Sequence, residues 1–144
     1  MIEQDTVKLL RECDAGIKMG IASIEDVLPY AKNKEFQSYL SRCKKEHEEL
    51  EREIHMLLLR YRDEGKEPNP IAKGMSRIKT NVKLGLDTSD ATIADLMTDG
   101  CNMGVKSLNK YLNEYEAADE SAKEITKKLI RMEETLAKEI RKYL

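Results

Sequence analysis

The stretch GIKMGIASIEDVL at residues 16–28 recurs without a gap as GCNMGVKSLNKYL at residues 100–112. Glycine, methionine, glycine, a β-branched residue, serine, an aliphatic residue and leucine fall in register. Both copies lie inside helical patterns, where one interior glycine costs about 1 kcal/mol relative to alanine. Glycines four residues apart share one helical face and strip it of side-chain bulk. The reading is therefore structural: Gly16, Gly20, Gly100 and Gly104 let the two helices that carry them pack closely, with a small cavity as the competing outcome.

A second match extends the repeat. KEHEELEREIHMLL at 45–58 aligns on RMEETLAKEIRKYL at 131–144, pairing Leu50 with Leu136, Ile54 with Ile140 and His47 with Glu133. The chain reads as two related helical hairpins. Apolar residues at 3–4 spacing support this: Val7, Leu10, Ile17, Ile21, Ile24 and Leu28 in one helix, Phe36, Leu40, Cys43, Leu50, Ile54, Leu57 and Tyr61 in the next. The pattern predicts helices over about 3–31, 34–64, 70–86, 90–117 and 121–143, with a capping box of Ser121 and Glu124 opening the last. Short turns join each long pair. The 70–86 helix and its flanks form a crossover long enough to travel the roughly 40 Å of a bundle.

Composition agrees with one all-helical domain spanning 1–144. Charged residues make up 36% of the 144, glycine and proline are few, and the net charge is −2. That balance gives no general attraction to nucleic acid or anionic membrane. No apolar run approaches the roughly 20 residues of a membrane span, and no secretory signal is visible in MIEQDTVKLL. Cys13, Cys43 and Cys101 lack CxxC spacing and read as reduced, buried thiols of a cytoplasmic protein.

Two hairpins joined by a long crossover resemble the ferritin-like superfamily, and in particular small bacterial ferritin-like four-helix bundles without an assigned activity. The likeness extends over nearly the whole chain, including KTNVKLGLDTSDATIADLMTDGCNMGVKSLNKYLNEYEAAD at 79–119. The resemblance implies a mid-bundle di-iron centre built from a Glu on each of two helices and a Glu-x-x-His on each of the others. The chain departs from that set. Lys44 precedes His47 where Glu is required, Ile130 precedes Glu133, and no Glu-x-x-His occurs.

His47 is open to three roles: metal ligand, general base, or hydrogen-bonded core histidine. Its repeat mate Glu133 is the expected structural partner, because buried charges need pairing. The alternative is an altered site for iron or another divalent metal, using His47, Glu133 and either Asp14 or Glu51. Asp14 interrupts the first apolar stripe and is expected to rotate to solvent, with Cys13 inside. Glu51 and His55 are spaced i, i+4, as two ligands on one face would be. Lys73, Arg77, Lys79 and Lys83 make the crossover helix basic, a surface for a protein partner or for the glutamates of residues 46–53. Tyr61, Tyr111 and Tyr115 are expected together at the end away from the first turn. The function expected is non-enzymatic binding or protein interaction by a homodimer without cofactor; a metal-dependent redox or storage protein is the alternative.

Overall fold

The computed structural model describes residues 2–63, 65–66 and 89–144. They form four long helices that pack against each other, and no strand occurs among the described residues. These are α1 (Ile2–Val27), α2 (Lys34–Leu59), α3 (Asp90–Glu114) and α4 (Glu120–Glu139). Short 3-10 turns follow α1 at Leu28–Tyr30 and α4 at Ile140–Tyr143. The crossover helix expected at 70–86, with Lys73, Arg77 and Lys83, lies outside the described residues.

Local chemistry sets the boundaries. Asn33, Ser89 and Asp119 cap α2, α3 and α4, each side-chain oxygen accepting from the backbone N–H three residues on. The last helix thus starts before the expected Ser121 cap, because Asp119 offers its carboxylate to Ala122 N at 2.9 Å. Pro29 tightens the end of α1 into a 3-10 turn. After α2, Arg62 and Gly65 both take positive φ, +55° and +94°, so the helix stops short of residue 64.

Contacts between the turns fix the direction of each helix. Asp90, at the start of α3, accepts from the backbone N–H groups of Lys32 and Asn33 in the first turn at 2.8 and 3.0 Å. Near the start of α1, Asp5 accepts from Ala117 N and Thr6 from Asp119 N, both in the last turn. Helix α3 therefore runs antiparallel to α1, and α2 and α3 run the same way. The end of α2 and the start of α3 consequently lie at opposite ends of the bundle.

Apolar faces meet inside in two clusters. One gathers Leu10, Ile17, Leu50, Ile54, Ile125 and Leu129 towards the last turn, with Tyr61, Tyr111 and Tyr115 against it. Tyr111 and Tyr115 stack at 6.2 Å. The other gathers Ile24, Phe36, Leu40, Ile93, Met97 and Ile140 towards the first turn, where Tyr143 stacks on Phe36 at 4.2 Å. Along every helix the division falls at one height, beside Gly20, His47, Gly104 and Glu133.

Candidate functional site

The middle layer carries an ion pair with no exposure on its histidine side. His47 is 0% exposed. Its Nε2–H donates to Glu133 Oε1 at 3.0 Å and its Nδ1–H donates to the Cys43 carbonyl at 2.7 Å. A neutral imidazole has one N–H, so two acceptor partners select the imidazolium. Burial lowers the His47 pKa, but the hydrogen bond and charge of Glu133, with the Cys43 carbonyl, outweigh it and leave the value above the ordinary 6.5. Gly20 makes room for this ring. A Cβ there would lie 3.1 Å from His47 Cδ2 and 3.3 Å from Nε2.

On the other side of Glu133 a cavity of about 270 Å³ opens between α1 and α3, with α4 as its floor. All four repeat glycines line it, with Met19, Met97, Met103, Cys101, Leu129 and Glu133 among the other walls. Of the two outcomes expected for these glycines, close approach is found at Gly20, against His47, and open space among the described residues at Gly100 and Gly104. A Cβ on Gly100 or Gly104 would meet no atom of the described residues within 4 Å, and one on Gly16 would make ordinary contact with Leu129 at 3.8 Å. The physical reason is the direction of Glu133. In the first hairpin His47 fills the space beside Gly20; in the second its mate Glu133 turns across to His47, and no described residue fills the matching space beside Gly104.

Asp14 belongs to a separate cluster and is not turned to solvent. It is 0% exposed, as is Cys13. Asp14 Oδ1 lies 2.9 Å from His55 Nε2, and Oδ2 accepts from Lys18 Nζ and the Lys66 backbone N–H, both at 2.9 Å. Three donors provide the compensation that a buried carboxylate requires. Lys66 also reaches Glu12 beside one end of the cavity. A Cβ on Gly65 would collide with the Asp14 carboxylate. Cys13 sits inside by a hydrogen bond between its thiol and the Thr126 hydroxyl, 3.1 Å.

The residues read as metal ligands are therefore only partly brought together. His47 joins Glu133, His55 joins Asp14, and half-buried Glu51 enters neither pair. Among the described residues no group of three or more His, Cys, Asp or Glu side chains is arranged to hold a metal ion. With Nδ1–H held by the Cys43 carbonyl, His47 offers a metal only Nε2, and with Glu133 that makes two ligands, too few for a metal site among the described residues.

Nor do the thiols offer a nucleophile. Burial pushes Cys13 up to about 12 and Cys43 up to about 11. Cys101 is raised by burial and then by the Glu133 charge beside it. All three stay protonated at neutral pH, and the thiolate is the reactive form. Sequence reasoning did not find the Lys18 and Lys66 contacts or the cavity walls. Lys18 was legible as the i+4 neighbour of an acid interrupting an apolar stripe; Lys66 depends on a loop conformation and carries no such signal.

No protein-family model matches the chain, and no curated protein or solved structure matches it either. No described helix is long and apolar enough to cross a membrane.

Proposed function

We propose that the chain is a ferritin-like bundle whose middle layer binds a small molecule in place of metal, without catalysing its conversion. The observation that carries this reading is the open space beside Gly100 and Gly104. Each glycine sits inside α3, where alanine is favoured by about 1 kcal/mol, and no neighbour among the described residues requires its absence of a side chain. Departures from local preference concentrate where function demands them. What these two residues supply is volume. At about 270 Å³ the cavity exceeds the roughly 150 Å³ engineered cavity that holds benzene and approaches the lower bound of ordinary ligand sites.

Hairpin order supports the ferritin-like assignment. Two antiparallel hairpins whose connection runs from one end of the bundle to the other have the arrangement of ferritin-like folds with one crossover. The absence of catalysis rests on the engaged histidine and the protonated thiols. Dimer formation belongs to the same reading. It is supported by Met56 and Leu59, which stand 68% and 69% exposed one turn apart on α2.

Ligand-detected NMR with small aromatic fragments tests the reading on the wild-type chain and on Gly100→Leu/Gly104→Leu. The expected result is binding by the wild type, with shifts at residues 100 and 104, and its loss when the leucines fill the space. Binding that survives the double substitution contradicts it. Light scattering on eluting protein tests the dimer, which Leu59→Lys should convert to monomer; a wild-type monomer rejects it.

A further inference from the structure

The cavity has two kinds of wall, and together they define what it accepts. Its sides are glycine backbone on α1 and α3, with methionine side chains between them. Facing backbones without side chains form a flat-sided slot. Thioethers adapt their shape and contact aromatic rings favourably. The floor is polar. Glu133 is only 12% exposed on its side chain, and its Oε1 is taken by His47. Among the described residues the Cys101 thiol is a neighbour for its remaining acceptor capacity, and a thiol is a weak donor.

Charge narrows the class further. Glu133 is balanced by the His47 imidazolium, and Glu12 at one end is paired with Lys66. Among the described residues that line the cavity, an anion would meet the carboxylate of Glu133, and the one cation there, Lys66, is paired with Glu12. A neutral N–H would replace the thiol contact with a stronger, charge-assisted hydrogen bond. The pairing of the repeats gives the same answer from another direction. The space beside Gly104 corresponds to the one beside Gly20, and that one holds an imidazole edge 3.1 Å from where a Cβ would stand.

Resting on the small-molecule reading above, we infer that the ligand is a neutral, flat heteroaromatic compound whose ring N–H donates to Glu133 while its ring lies in the glycine–methionine slot. The donor is the part that specifies; the ring is the part that fills. A site built to accept a hydrogen bond discriminates strongly against an analogue lacking the donor, because its polar group is left unsatisfied.

Indole and benzothiophene have nearly the same shape, and only indole has an N–H. Isothermal titration of the wild-type chain with each is the test, with NMR shifts at Gly100 and Gly104 locating the site. The inference expects indole to bind at least tenfold more tightly, and indole-3-carboxylate to bind more weakly than indole. The preference should shrink in Glu133→Gln. It should vanish in His47→Leu/Glu133→Met, which replaces the pair with apolar groups and retains benzothiophene binding; the paired replacement avoids leaving a lone buried charge. Equal affinity for indole and benzothiophene in the wild type overturns the ligand class and leaves cavity binding standing. Failure of both to bind at millimolar concentration overturns the cavity reading as well. Binding with shifts confined to other residues overturns both.

Discussion

His47 donates from both ring nitrogens, so its charge is part of the folded state. Its pKa is raised from 6.5 on folding, despite the opposing effect of burial, by Glu133 and the Cys43 carbonyl. A raised pKa means that the native state binds the proton more tightly than the unfolded chain does. The stabilisation is complete below about pH 6.5 and disappears as pH rises through the native value. Urea unfolding between about pH 6 and 9 should show wild-type stability falling over that window, and Glu133→Gln should flatten the fall; identical slopes would reject the imidazolium. Leaving one partner of a buried pair alone costs about 3–5 kcal/mol, so Glu133→Ala should unfold at much lower urea. Gly65→Ala should destabilise too, by more than about 1 kcal/mol, since its left-handed backbone and the Asp14 carboxylate both exclude a side chain. A neutral effect in equilibrium unfolding would show that the Asp14 cluster does not hold the chain at Lys66.

At the scale of elements, the repeat glycines differ in what they do although their motifs match. Gly20→Ala should reduce stability, because its methyl group presses on a histidine ring held by two hydrogen bonds. Gly100→Ala and Gly104→Ala should each raise it, by up to about 1 kcal/mol, since α3 gains a better helix former and no described residue is displaced. Thermal unfolding of the three variants compares these signs directly, and a loss at position 100 or 104 would restore tight packing as their role. This contrast marks how far the sequence could be read. Periodicity placed the four described helices, besides the one expected at 70–86, and the repeat aligned His47 with Glu133, because both follow from spacing along one chain. The direction in which Glu133 leans does not follow from spacing, so close packing and cavity could not be separated at Gly104. Asp14 was misplaced for a similar reason. Its compensating donors come from Lys18, His55 and Lys66, and two of those three lie far along the chain. The Ser121 capping box lost to Asp119, which also accepts from the Tyr61 hydroxyl at 3.0 Å and so joins the α4 cap to the end of α2. Asp119→Ala should therefore lose about 1 kcal/mol for the cap and somewhat more for the tyrosine.

For the whole molecule, the two apolar clusters supply the stability that a polar, glycine-lined middle layer gives up. The pair and the cavity occupy one layer, so the account predicts that ligand binding and folding are thermodynamically linked there. A ligand that binds only the native state stabilises it in proportion to the logarithm of its concentration above Kd. The most direct measurement is the unfolding free energy of the wild type and of Gly100→Leu/Gly104→Leu, each with and without indole. The account predicts that indole stabilises the wild type progressively, while the leucine variant unfolds cooperatively and gains nothing from it. Equal stabilisation of both chains, or none of the wild type, would contradict it.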